Sequence, residues 1–247
     1  SWDPHQVGLG IFTIVIGSHA LHAVGYAMGI QRDGADEAVL ACFGDGATST
    51  GDVHEAMVFA AAFAAPVVFF VQNNQWAISV PVARQSRAPL ATRAAGYGIP
   101  AVQIDGNDVL ASLAVTRAAL DRAREGGGPT FIEAVTYRRG PHTTSDDPTR
   151  YRDQAEVEHW VALDPLDRLV RHMEIVGAWD AGFAASIDAE ADALGERLRD
   201  AIRGMSDPDP MTMFDHVYAE PHAQVEADRQ ALADHLASDV AGAVETR

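Results

Sequence analysis

Two short polar clusters stand where apolar runs stop, and both carry oxygen ligands. Gly44-Asp45-Gly46 follows the run Ala38–Phe43, and Gln72-Asn73-Asn74 follows Val67–Val71. Each run reads as a buried strand. Neighbouring strands of a parallel sheet lie about 5 Å apart, so Asp45 and Asn74 would offer a carboxylate and an amide oxygen to one point. That pair is too sparse for a metal cage alone. Mg2+ commonly binds through one or two carboxylates together with phosphate oxygens. The missing ligands would then be diphosphate oxygens, a water and a backbone carbonyl. Gly44 and Gly46 allow the main chain to approach phosphates, and helix N-termini after the strands add favourable dipoles. Asp-Gly is also a common turn and Asn-Asn a common loop pair, and either alone reads as structural. Together, 29 residues apart across one helix and one strand, they are far more specific.

Those clusters need a sheet to hold them. Strand-like runs recur at Val39–Phe43, Val67–Val71, Ala101–Ile104 and Thr130–Tyr137, with helical patterns between. Asp52-Val53-His54-Glu55 predicts a capping box with Asp52 as N-cap, opening an Ala-rich helix that Pro66 must end. A second helix is predicted from Val109 to Glu125, stopping at Gly126-Gly127-Gly128-Pro129. The alternation predicts an α/β fold: a parallel sheet with right-handed crossovers and helices on both faces. Ligands bind outside the carboxyl ends of such strands. Residues 138–153, RRGPHTTSDDPTRYRD, read as a long surface loop, which is usually a lid, a binding loop or a disordered segment. Beyond it, helices are predicted at Ala181–Arg203 and Ala223–Ala237, separated by SDPDPM. The expected division is an α/β domain over 1–155 and a helical C-terminal extension over 156–247.

The 247 residues are enough to bury a sizeable core. Eighteen basic residues against 35 acidic give a net charge of −17, the wrong sign for a phosphate-tracking nucleic-acid surface. A single cysteine, Cys42, excludes an internal disulfide; its strand setting predicts a small core residue and fits a reducing compartment. Ile11–Gly17 is too short to span a bilayer, and no basic region marks it as a signal peptide. The opening SWDPHQVGLG lacks an initiator methionine, the expectation for a fragment or a trimmed product. His54-Glu55 is not a zinc-helix motif, because Val58 stands where the second histidine belongs. Gly44, Gly46 and Gly51 lack dinucleotide spacing. His19 and His22 read as structural or as lining the cofactor pocket.

GDG followed by a span ending in NN resembles the thiamine-diphosphate signature. The extended stretch FGDGATSTGDVHEAMVFAAAFAAPVVFFVQNNQWAIS resembles the alpha subunit of the heterotetrameric 2-oxo acid dehydrogenases, the decarboxylating first components of the pyruvate and branched-chain complexes. The resemblance runs from about Ile11 to about Leu236, more loosely toward the end. It implies the thiamine-diphosphate-binding fold, with Asp45 and Asn74 as magnesium ligands. Trp76 stands where the family usually has tyrosine; its main-chain carbonyl would be the third ligand, so the changed side chain is tolerated. Gly46 and Ala47 match backbone donors to the diphosphate. Ile14 and Ile16 match positions whose backbone meets the aminopyrimidine ring, although that apolar run equally reads as a core strand. YRRGPHTTSDDPTRYR resembles the active-site loop. Arg138 there matches an arginine on the diphosphate, a role its fork of donors suits. His142 matches the histidine near the reactive thiazolium carbon, where imidazole can exchange protons near neutral pH; without the match it reads as an exposed loop residue. Thr143, Thr144 and Ser145 lie where some eukaryotic relatives are phosphorylated, and equally read as a hydroxyl-rich, soluble loop.

The function so implied is an alpha subunit that joins a beta subunit in an alpha2-beta2 assembly. It would decarboxylate a branched-chain 2-oxo acid and acylate the lipoyl group of an acyltransferase core, in the bacterial cytoplasm or a mitochondrial matrix. Asp146-Asp147 favours the branched-chain type; pyruvate and acetoin dehydrogenases are the alternatives. A rival of another class is a non-catalytic, partner-binding fragment, since no stretch before Ser1 matches a Tyr-Arg pair that contacts the diphosphate in relatives. A metal-independent nucleotide-binding protein is a weaker rival, lacking any fingerprint.

Overall fold

The computed structural model describes residues 8–10 and 14–245. Residues 11–13 of the apolar stretch Ile11–Gly17 lie outside that description. The chain divides into two compact units between Trp179 and Asp180.

The first unit begins with α1 (Ser18–Asp33), β1 (Val39–Gly44), α2 (Gly51–Ala62) and β2 (Val67–Asn73). A two-stranded hairpin, β3 (Trp76–Ala77) and β4 (Val80–Pro81), leads into two short helices, α3 (Val82–Gln85) and α4 (Ala91–Ala95). Then come β5 (Ala101–Asp105), α5 (Val109–Arg122), β6 (Thr130–Val135), α6 (Gln154–Val161) and α7 (Pro165–Ile175). The main sheet has the order β1-β2-β6-β5 and every pair is parallel. The α/β reading therefore holds, with helices on both faces. On one face Val24 of α1, Met57 of α2 and Leu90 before α4 pack against Phe43, Phe69 and Phe131. On the other, Ala119 and Val115 of α5 meet Val68, Ile132 and Ile104. Phe69, Phe131 and Met57 are essentially inaccessible; burying side chains of this size contributes about 1.5–3 kcal/mol each.

Three local expectations are corrected. Cys42 is exposed, not a core residue. β1 is an edge strand whose alternate residues Leu40, Cys42 and Gly44 face outward while Ala41 and Phe43 are buried. Burial by its own surroundings still pushes the Cys42 thiol pKa up. The capping box does not form: the helix begins at Gly51, with Thr50 as N-cap and no side-chain cap bond. The Thr50 hydroxyl instead donates to the Ala47 carbonyl at 2.8 Å. Asp52 thus sits inside the first turn, where its charge complements the helix dipole. Finally, α5 ends at Arg122 and passes into a single π turn, Ala123–Gly127, with Gly126 left-handed.

The second unit holds α8 (Ala181–Gly204) and α9 (Ala223–Glu245), close to the predicted helices, with a 3-10 turn at Pro210–Phe214 between them. Asp180 caps α8 by accepting from the Phe183 N–H at 2.8 Å. Arg229 of α9 pairs with Asp215 at 2.7 Å and lies over the Phe214 ring. Among the described residues no helix is long and apolar enough to cross a membrane.

Candidate functional site

β1 and β2 pair with Gly44 opposite Gln72, so their carboxyl ends lie side by side. Directly after Gly44 the chain winds into a 3-10 turn, Asp45–Ser49, and carries Asp45 to 1 % exposure. One oxygen of its carboxylate accepts from Gln85 Nε2 at 2.7 Å. Burial raises the Asp45 pKa; the Gln85 bond, the main-chain N–H groups of Asp45 and Asn74, and the charge of Arg138 pull against it. The structure thus sets the Asp45 carboxylate against the Asn74 main chain.

After β2 the backbone makes two overlapping side-chain turns. Asn73 Oδ1 accepts from the Gln75 N–H at 3.0 Å, and Asn74 Oδ1 from the Trp76 N–H at 3.1 Å. Gln75 and Ile78 hold φ of 73° and 55°, a left-handed conformation unfavourable for a β-branched residue such as isoleucine. Such strain costs on the order of 1–3 kcal/mol per residue and gathers at functional sites. It flanks the segment that carries the Trp76 carbonyl. Gly46 is needed for a close approach: a Cβ there would lie 3.0 Å from the Ala77 Cβ. Its neighbour in the structure is therefore the hairpin, whereas the space at Gly44 is open.

These residues fit a magnesium ion that shares its shell with phosphate. Among the described residues no three His, Cys, Asp or Glu side chains converge. Asp45, Asn74 and the Trp76 carbonyl would supply one charged and two neutral hard oxygens, which would leave the remaining ligands to phosphate oxygens and water. Beside them the buried Gln85 Oε1 has no hydrogen-bond partner. The Trp76 carbonyl already accepts from Arg138 Nη1 at 3.0 Å, and Arg138 Nη2 reaches the Ile78 carbonyl at 2.7 Å and the Tyr151 hydroxyl at 2.9 Å.

Other expected residues lie apart. His142 is on the exposed loop, where its main-chain N–H donates to Asp146 at 2.8 Å; among the described residues no contact joins its ring to the Asp45 group. The Tyr151 hydroxyl donates to the same Asp146 oxygen at 2.5 Å. Ile14 and Ile16 are exposed and belong to no strand, so the core-strand alternative is overturned. Ala47 is buried in the main core and its carbonyl serves Thr50. His19 contacts the Cys42 carbonyl at 3.0 Å.

Three supporting residues escape a reading of the sequence. Gln85 holds Asp45. Arg93 of α4 donates to the Thr48 carbonyl at 2.6 Å, the Thr48 hydroxyl at 2.8 Å and the Gln85 carbonyl at 3.1 Å. Glu133 is 1 % exposed within β6. Of these only Glu133 carries a signal, a lone acid inside the apolar run TFIEAV.

Residues 6–203 match the family model described as the dehydrogenase E1 component. The alpha subunit of 3-methyl-2-oxobutanoate dehydrogenase from Mycobacterium tuberculosis is 52% identical over 226 residues, covering 91% of this chain and 62% of that protein. The pyruvate dehydrogenase E1 component subunit alpha of Acholeplasma laidlawii is 40% identical over 228 residues, covering 91% of this chain and 66% of that relative. Its Staphylococcus aureus counterpart is 45% identical over 169 residues, covering 68% of this chain and 46% of that relative. This chain thus spans less than two thirds of the length of these relatives. With a family model covering most of it and the matched strand ends in register, the chain belongs to the dehydrogenase E1 component family.

Proposed function

We propose that this chain is an alpha subunit that binds thiamine diphosphate through Mg2+. With a beta subunit it decarboxylates a branched-chain 2-oxo acid and passes the acyl group to a lipoyl-bearing acyltransferase. The observation that carries this reading is the buried Asp45 carboxylate set beside Asn74 at adjacent parallel strand ends. Asp45, Asn74 and the Trp76 carbonyl would hold the metal. Arg138, which here donates to the Trp76 carbonyl, would offer its fork of donors to the diphosphate. His142, on the exposed loop, would exchange a proton with the reacting centre. Bound thiamine diphosphate supplies the carbanion chemistry, and the protein supplies position and electrostatics. The branched-chain type is favoured by Asp146-Asp147 and by the 52% identical relative; the pyruvate-type relatives, at 40% and 45% identity, support the second reading. A bacterial cytoplasmic location, or a mitochondrial matrix in a eukaryote, would accompany either.

The test is titration of thiamine diphosphate with and without Mg2+, with tryptophan fluorescence as the readout. Losing a ligand should exceed the roughly 10–100-fold cost of losing an outer-shell partner, so Asp45→Ala should weaken Mg2+-dependent binding by more than about tenfold. Asn74→Ala removes a neutral ligand and should cost less. Equal, metal-independent binding by wild type and Asp45→Ala would overturn the assignment.

A further inference from the structure

Glu133 sits on an interior strand of the sheet and is 1 % exposed, and among the described residues no cation pairs with it. A buried carboxylate is costly unless its oxygens are satisfied. Here each oxygen takes one N–H: Oε1 accepts from Asn73 Nδ2 at 2.8 Å and Oε2 from the main-chain N–H of Ala91 at 2.9 Å. Two donors converging on one side chain require two acceptors. Glutamine keeps one acceptor oxygen but replaces the other with an NH2 group that can only donate, so it cannot present an acceptor to each donor.

Each bond leads to one arm of the metal site. Through Asn73, whose Oδ1 fixes the Gln75 N–H, the carboxylate holds the strained turn that presents Asn74 and the Trp76 carbonyl. Through Ala91 it holds the first residue of α4, whose Arg93 binds Thr48 and the Gln85 carbonyl. Thr48 in turn donates to the Asp45 carbonyl at 2.6 Å, and the Gln85 side chain to the Asp45 carboxylate. One buried acid thereby joins the Asp45 arm to the Asn74 arm.

We propose that Glu133 is a positioning residue for the magnesium–diphosphate site, fixing the spacing between Asp45 and the Asn74–Trp76 turn without touching metal or cofactor. This rests on the reading given under the proposed function. Glu133→Gln keeps the size but sets an NH2 group against one of the two donors. In the full-length protein, titrated with thiamine diphosphate at fixed Mg2+, it should weaken binding at least tenfold. Adding Asn73→Asp restores a matched pattern: the amide introduced by Glu133→Gln donates to the carboxylate at position 73 and accepts from Ala91, while the second oxygen at position 73 still takes the Gln75 N–H. The double variant should recover binding to within about threefold of wild type, a rescue that loss of bulk core packing would not produce. Binding by Glu133→Gln within twofold of wild type, or a double variant no better than the single, overturns the proposal and leaves the metal assignment standing. If Glu133→Gln does not fold, Asn73→Ala cuts the same tie from the other side, and binding within twofold of wild type overturns the proposal equally. Failure of the wild type to bind Mg2+ and thiamine diphosphate together overturns both.

Discussion

Asp45 is held in a state that burial disfavours. Its folded-state pKa lies above the unfolded value of about 3.9. The sign follows: a raised acid stabilises the fold fully below the unfolded pKa, and that contribution is lost as pH rises through the folded value. Above its folded pKa the metal-free protein therefore carries an ionised carboxylate at a cost in stability, which a bound cation would offset. Asp45→Asn should raise the thermal midpoint of the metal-free protein at pH 7 and change it little near pH 3. A gain of about 1 kcal/mol would appear as about 2–4 °C in a protein of this size. The same variant should gain nothing from added Mg2+ with thiamine diphosphate. A lowered midpoint at pH 7 would mean that Asp45 serves the fold before it serves a metal. Gln85, the donor that steadies this carboxylate, could not be read from the sequence, because it reaches Asp45 from a four-residue helix 40 positions away.

At the scale of elements, the four sheet strands were legible as apolar, Val- and Phe-rich runs closed by Gly, Asn or Pro, and each forms within two residues of its predicted bounds. The hairpin β3–β4 and the helices α3 and α4 were not, since elements of two to five residues show no periodicity. Edge position was equally hidden: the run around Cys42 says strand, and only the strand order exposes one of its faces. The loop after β6 was legible in extent but not in wiring. Arg152 donates to the Arg138 carbonyl and to that of Arg139, and Arg138, Tyr151 and Asp146 form a continuous set of bonds. The His142 N–H and the Tyr151 hydroxyl hold the Asp146 carboxyl below its usual range. For a lowered acid the contribution is present above the unfolded pKa of about 3.9 and lost as pH falls through the folded value. Asp146→Asn imitates that loss at pH 7 and should reduce hydrogen-exchange protection across 138–153 several-fold; wild type taken toward pH 3, corrected for intrinsic exchange, should do the same. Unchanged protection of the His142 amide in Asp146→Asn would deny the carboxylate its role. Mg2+ with thiamine diphosphate should add protection in wild type as Arg138 changes partner.

For the whole molecule, the distribution of acids decides whether the chain works alone. Thiamine catalysis needs a carboxylate beside the aminopyrimidine to promote the imino form that deprotonates the thiazolium. Despite a net charge of −17, four acids around the strand ends and the loop of the first unit are engaged or turned elsewhere. Asp45 faces Gln85 and, on the proposed reading, serves the metal. Glu55 is exposed on α2, released from the expected capping box yet on the solvent side. Glu133, which a reading of strands as purely apolar passes over, is buried and spends both oxygens on Asn73 and Ala91. Asp146 accepts two bonds within its own loop. The acids of α8 lie on an exposed, amphipathic helix of the second unit. On the proposed reading the first unit would hold the metal and the diphosphate, and the activating acid would come from a beta subunit across an interface. Full-length protein alone should therefore bind Mg2+ and thiamine diphosphate through the diphosphate end yet turn over no 2-oxo acid above the cofactor's own background. Adding the beta subunit should restore decarboxylation, fastest with branched-chain 2-oxo acids. Comparable turnover by the isolated chain would place the activating carboxylate within this sequence, with Glu133 the first to re-examine by Glu133→Gln.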